Sequence, residues 1–167
     1  MKLTIITITL NNADGLCRTM QSVFSQTCQD FEYIVIDGAS TDGSRELIEK
    51  NANRIDYWVS EPDKGIYNAM NKGIDQAHGE YCLFLNSGDT LHDSKVLEDV
   101  IPLLDGTVVI TGSIINGTEL SKSKGDVTFR RMFLCSIPHP SSFIRLDWMK
   151  RYKYDESLKI VSDWKFF

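Results

Sequence analysis

Leu3-Thr-Ile-Ile-Thr-Ile-Thr-Leu10, closed by Asn11-Asn12, is a β-branched run interrupted only by threonines. Such a run reads as a strand buried on both faces, the kind found inside parallel sheets. From an N-cap at Asn12 or Asp14, Leu16, Met20, Val23 and Phe24 recur at helical spacing. Phe31-Glu-Tyr-Ile-Val-Ile36 then forms a second strand ending in Asp37-Gly38, and the three pieces make one βαβ unit.

The same grammar continues outward. Residues 44–50 read as a helix, 55–59 as a strand, 66–77 as a helix with Ile66, Met70, Gly73, Ile74 and Ala77 inward, and 81–85 as a strand. A helix near 94–104 leads to a strand at Val108-Val-Ile110. Strands alternating with helices of this length require right-handed crossovers. The expected fold is therefore α/β, a three-layer sandwich around a mostly parallel sheet. Beyond Asn116 the texture changes to a polar, lysine-rich stretch and Pro-punctuated segments. Residues 1–167 are expected to form one domain, with 1–115 as its ligand-binding part and 116–167 as the start of a second part. The apolar Trp164-Lys-Phe-Phe167 lacks a helix stop signal, so the natural end is expected to lie further on.

Composition agrees with a compact domain. The 167 residues are 42% hydrophobic, 25% charged and 10% aromatic, which excludes a disordered or fibrous chain. A net charge of −5, from 18 basic against 23 acidic residues, argues against a nucleic-acid partner and favours a bound cation. The four cysteines, Cys17, Cys28, Cys82 and Cys135, contain no C-x-x-C pair, so free thiols in a reducing cytoplasm are expected. No stretch is long and apolar enough to span a bilayer.

In open parallel sheets, ligands sit beyond the carboxyl ends of the strands, where loops converge and helix N-termini present their amides. The strands deliver Thr9 and Asn11, then Asp37, then Glu61, Asp63 and Lys64, then Asn86 and Asp89 to that rim. Each has a plain structural reading. Asp37 could close an Asx-turn on Ala39-Ser40, Asn86-Ser-Gly-Asp89 could be a tight turn, Asp63 an N-cap and Lys64 a solvated charge. As a group they support a nucleotide site. In it Asp37 and Asp63 accept from a base or ribose, Lys64 meets an anionic leaving group, and Asp89 binds Mn²⁺ or Mg²⁺ with diphosphate oxygens completing the shell. His139, between two prolines, reads as a structural donor or a contact to phosphate or acceptor, and Asp163 as a first-turn acid of the last helix.

Seven short segments in this order resemble the GT-A-fold, inverting, nucleotide-sugar-dependent glycosyltransferases of family 2. They are Thr9-Leu-Asn-Asn12, Val35-Ile-Asp-Gly-Ala-Ser-Thr-Asp-Gly43, Glu61 to Gly73, Gly79-Glu80, Phe84-Leu-Asn-Ser-Gly-Asp89, His139-Pro-Ser-Ser-Phe143 and Ser162-Asp-Trp164. The resemblance implies that Asp37 and Asp63 are base-binding acids. It implies that Thr9, Asn11 and Asn86 line the nucleotide-sugar pocket, that Asp89 is the metal-binding acid and that Asp163 is the catalytic base. The chain departs from the family where acids often stand at Asn86 and Gly88 and an arginine at Met70. The implied activity is transfer of a sugar, expected from a UDP-sugar, to a glycan or lipid-linked acceptor in surface polysaccharide synthesis. The implied location is the cytoplasm, with peripheral membrane contact if the acceptor is lipid-linked. A non-catalytic nucleotide- and cation-binding module is the alternative. A sugar nucleotidyltransferase ranks last, because no Gly-rich phosphate loop follows the first strand.

Overall fold

The computed structural model describes residues 1–116, 119–121 and 139–158. Strand β1 (Leu3–Thr9) is buried along its whole length. Its neighbours explain why: β2 (Phe31–Asp37) and β4 (Tyr81–Phe84) both pair with it in parallel. Strand β3 (Tyr57–Ser60) extends the sheet beyond β2, again in parallel. The six-stranded order is β3-β2-β1-β4-β8-β5, with β5 at Val109–Thr111 and β8 at Ser142–Arg145. Strands β6 (Ile114–Asn116) and β7 (Glu119–Ser121) form a separate antiparallel pair.

Period-2 alternation sends side chains to two cores, one per face. Leu3 and Ile5 of β1, Tyr33 and Val35 of β2 and Tyr81 and Leu83 of β4 meet α1 (Ala13–Phe24), α2 (Ser44–Lys50) and α4 (Val96–Val100). Ile6 and Ile8, Ile34 and Ile36, and Cys82 and Phe84 meet α3 (Ile66–Gln76) and α5 (Leu146–Tyr152) on the other face. The result is the three-layer sandwich that the alternating elements require. Fully burying each large apolar side chain contributes about 1.5–3 kcal/mol. Among the described residues, no helix is long and apolar enough to cross a membrane.

Two elements differ from their sequence pattern. The helix expected over 94–104 is α-helical only from Val96 to Val100 and tightens into a 3₁₀ turn at Ile101–Leu103. Pro102 has no N–H to bond the carbonyl of Glu98, so the α-ladder cannot continue through it. The second difference is β8, which leaves the Pro-punctuated region and inserts antiparallel between β4 and β5. Phe143 enters one core and Ile144 the other, so this short strand fills both faces of the gap.

At the amino end of the sheet, Glu32 of β2 is buried, with its side chain 8% exposed. Burial alone would raise its pKa. The Thr4 hydroxyl, the His78 ring and the His78 backbone N–H outweigh that and hold the carboxyl below its ordinary value. Because the folded-state pKa is depressed, this carboxylate stabilises the fold above its unfolded-state pKa, and the contribution is lost as pH falls through the folded-state value. Glu32→Gln is expected to lower unfolding stability by about 1–3 kcal/mol near neutral pH. The deficit should shrink in acid below about pH 4. Urea denaturation of both proteins across pH 3–7 checks this, and a pH-independent difference would refute it.

Candidate nucleotide site

The connections out of β1 run in opposite senses. Through α1 and α2 the chain moves to β2 and β3 on one side, and through α3 it crosses back to β4 on the other. The carboxyl ends of β1 and β4 therefore bound a topological switch point, the crevice where open α/β sheets hold ligands. A cleft of about 260 Å³ opens there. The end of β1 (Ile8, Thr9, Leu10), the Asp63 loop with the start of α3, and Asn86-Ser87 after β4 line it. A second depression, about 340 Å³, lies at the opposite end of the sheet between Phe24, Arg54 and Asp56.

Leu10 and Ile66, 56% and 49% exposed, give the cleft apolar walls. Its polar groups are unusual in lacking partners. Thr9 is 5% exposed, yet its Oγ1 has no hydrogen bond, and neither does the buried Oδ1 of Asn86. An unmatched buried polar atom costs about 1–3 kcal/mol. Both belong to residues that line the cleft, which points to a guest that completes them. Since an amide oxygen only accepts, a guest that completes Asn86 brings it a hydroxyl, an N–H or a hard cation.

Of the candidate acids, Asp63 lines the cleft, whereas Asp37 and Asp89 are not among its lining residues. Asp37, Thr9 and Ser60 are neighbours across β2, β1 and β3. Asp37 is fully buried, and its carboxylate accepts from the Ser40 N–H and hydroxyl and from the Ser60 hydroxyl at 2.6 Å. This is the Asx-turn geometry, extended by a second serine. Asp63 lies against the backbone of Gly38, where a Cβ would sit 2.6 Å from its Oδ2. Its Oδ1 accepts the Gly65 N–H at 2.9 Å, which orients the entrance to α3. Lys64 is exposed and outside the cleft lining, with the Glu156 carboxylate as an electrostatic neighbour.

Asn11 also stands outside the lining. It adopts a left-handed backbone (φ 50°), its N–H donates to Ser40 Oγ, and its Oδ1 accepts the Thr41 N–H. It thus clamps the β1 loop to the β2 loop. Asp42 joins the same clamp by accepting from Ala13 at the start of α1 and from Ser44 at the start of α2. The Ser44 hydroxyl first, and then the Ala13 N–H, hold its carboxyl below the usual range.

Asn86 to Asp89 is a tight turn, closed by the Asp89 N–H on the Asn86 carbonyl at 2.9 Å and requiring φ +107° at Gly88. Two residues of α1 and its cap, not anticipated as part of the site, hold the turn from behind. Asn12 donates to the Ser87 carbonyl and hydroxyl while capping α1 at Gly15. The Thr19 hydroxyl accepts the Gly88 N–H and lies 2.7 Å from the Asp89 carbonyl. The one available sequence signal was that Thr19 is a polar residue on the apolar stripe of α1.

Among the described residues, no three His, Cys, Asp or Glu side chains converge into a cation cage. Half-buried Asp89 with neutral oxygens nearby is a hard donor set. It fits Mg²⁺ or Mn²⁺ as a cation shared with a diphosphate rather than one held by protein alone. The α3 N-terminus adds a positive dipole end at the cleft. His139 opens the 3₁₀ turn His139–Ser141 that leads into β8, and Asp163 lies outside the described residues.

Comparison with known proteins gives a consistent result. The chain is 34% identical over 172 residues to an uncharacterised glycosyltransferase of Mycobacterium tuberculosis H37Rv, covering 97% of this chain and 66% of that one. It is 29% identical over 170 residues to a PGL/p-HBAD biosynthesis glycosyltransferase of Mycobacterium bovis BCG, with the same coverage of each. The chain thus spans 66% of the length of these curated relatives. Among solved structures, Staphylococcus aureus TarS bound to UDP superposes with a TM-score of 0.79 at 23% identity, covering 99% of this chain and 54% of TarS. The mannosyltransferase PcManGT of Pyrobaculum calidifontis, bound to GDP-Man and Mn²⁺, gives 0.75 at 16% identity, covering 99% and 50%. At these identities the structural likeness concerns the fold alone, and that fold is GT-A. The profile of Glycosyl transferase family 2 matches residues 4–156, and with that match across nearly the whole described structure the chain belongs to glycosyl transferase family 2.

Proposed function

We propose that this chain binds a nucleoside-diphosphate sugar, a UDP-sugar in the first instance, and transfers the sugar with inversion to a hydroxyl of a glycan or lipid-linked acceptor. The observation that carries this reading is the pair of unpartnered buried oxygens, Thr9 Oγ1 and Asn86 Oδ1, in a cleft at the switch point. Asp63 accepts a base N–H from the cleft wall. Asp37 supports the base from beneath, and direct contact requires one of its serine hydroxyls to give way. Thr9 and Asn86 bond ribose or sugar hydroxyls, and Asn11 keeps the rim in place. Lys64, from outside the cleft lining, and His139 are assigned to phosphate or acceptor contact.

Asp89 would hold Mn²⁺ or Mg²⁺ together with the diphosphate, and the cation when bound would supply Lewis-acid stabilisation of the leaving group's charge. Asp163 accepts the acceptor's hydroxyl proton as its oxygen bonds to the anomeric carbon. The bond from that carbon to the diphosphate oxygen breaks at the same time, its electron pair leaving with the nucleoside diphosphate. Relatives named as a PGL/p-HBAD biosynthesis glycosyltransferase and a cholesterol galactosyltransferase support a lipid acceptor, and a lipid-linked acceptor would bring the chain to the cytoplasmic face of a membrane.

The test is a thermal-shift screen of UDP, GDP and their sugar conjugates, with MnCl₂ or EDTA. Ligand at a hundred times its Kd stabilises by about 2.7 kcal/mol, which is on the order of 5–10 °C for a domain of this size. A uridine nucleotide is expected to give such a shift, larger with Mn²⁺ than with EDTA. Absence of any shift with every nucleotide would remove the reading.

A further inference from the structure

Thr19 sits in the middle of α1, wholly inaccessible, on the stripe that carries Leu16, Met20 and Val23 into the core. A valine would suit that packing, so the hydroxyl calls for its own explanation. It accepts the Gly88 N–H at 2.9 Å, and it has one proton to give. Of the carbonyls in reach, Asp89 is nearest at 2.7 Å, ahead of Gly15 at 3.1 Å and Asn86 at 3.3 Å. The hydroxyl therefore bridges the N–H of Gly88 and the C=O of Asp89 and fixes the peptide between them from the helix side. That peptide most needs fixing, because Gly88 has the backbone freedom to rotate it and Asp89 hangs from its far end.

We infer that Thr19 is a positioning residue for the Asn86-Asp89 turn, whose Asn86 and Ser87 border the cleft: its hydroxyl sets the Gly88-Asp89 peptide so that the Asp89 carboxylate meets a cation carried in by a nucleoside diphosphate. This rests on the donor-binding reading above. Thr19 touches no ligand and acts only through the turn. Partners that orient a metal-binding side chain typically alter metal affinity by about 10- to 100-fold when removed.

The experiment compares the unsubstituted chain with Thr19→Val and Thr19→Ser, measuring UDP affinity by calorimetry in MnCl₂ and in EDTA, with thermal unfolding of each. Thr19→Val is expected to reduce the Mn²⁺-dependent gain about 10- to 100-fold while leaving affinity in EDTA unchanged. Thr19→Ser, which keeps the hydroxyl, should restore the gain. Thr19→Ala supplies the same comparison if the valine does not fold. A truncated variant that unfolds earlier yet keeps the full gain would show that Thr19 only packs, and would overturn the inference alone. An unsubstituted chain that binds UDP equally in MnCl₂ and EDTA would overturn the metal reading and this inference with it.

Discussion

Asp89→Ala is expected to abolish the Mn²⁺-dependent part of UDP binding, a loss of at least about tenfold, or ~1.4 kcal/mol. The direction follows from the donor set. Among the described residues no acidic cage exists that could hold the ion without Asp89, and the neighbouring position is the neutral Asn86. Removing the carboxylate leaves amide and hydroxyl oxygens, which cannot offset the cost of stripping water from a divalent cation. In EDTA the sign reverses. Without the cation, a carboxylate beside a diphosphate repels it, so the alanine variant should bind UDP in EDTA as well as the parent or slightly better. Calorimetric titrations in the two buffers read both effects. Retention of the full Mn²⁺ gain in Asp89→Ala would place the cation elsewhere. Weakening in both buffers alike would mean that the turn, rather than the metal contact, had been lost.

The contrast between Asp89 and its supports shows what a sequence exposes. Strands β1 and β2 and helix α3 were legible to within a residue or two, because each combines an apolar period with a clear boundary: Asn11-Asn12 after β1, Asp37-Gly38 at the end of β2, and Gly65 before Ile66 at the start of α3. Strand β8 was not legible. Four residues after a Pro-rich turn carry too little alternation to declare a strand, and its place is fixed by the gap between β4 and β5, which is a tertiary fact. The same divide runs through the site. Thr9, Asp63, Asn86 and Asp89 could be placed on one rim because strand order delivers loops to one edge of the sheet. Which of the polar residues would face the cleft could not be read. Asn11 and Asp42 turned out to tie loops together, and Asp37 is enclosed by Ser40 and Ser60, contacts that depend on chain segments far apart in sequence. Met70, at a position where the family often has arginine, is buried in the core beside α3, so this chain uses the site for packing.

Asp163→Asn is expected to have the largest effect of any single substitution on turnover, about 10²- to 10⁴-fold, while UDP affinity stays at the parent's value with and without Mn²⁺. The amide nearly matches the carboxylate in shape but cannot take the proton of an attacking hydroxyl. The acceptor would then have to attack as a neutral alcohol with water as its base. Proton transfer to a carboxylate accompanies formation of the new glycosidic bond, since the alkoxide is far too basic to exist beforehand. Binding of the donor precedes that step and needs no proton acceptor, so it should not register the change. Measured together, the two acid substitutions separate two functions. Asp89→Ala weakens nucleotide binding only in the presence of the ion, and Asp163→Asn slows sugar transfer without altering affinity. Unchanged turnover in Asp163→Asn would remove it as the base. Loss of UDP binding in that variant would instead place Asp163 in the donor pocket, where an inverting displacement has no use for a proton acceptor.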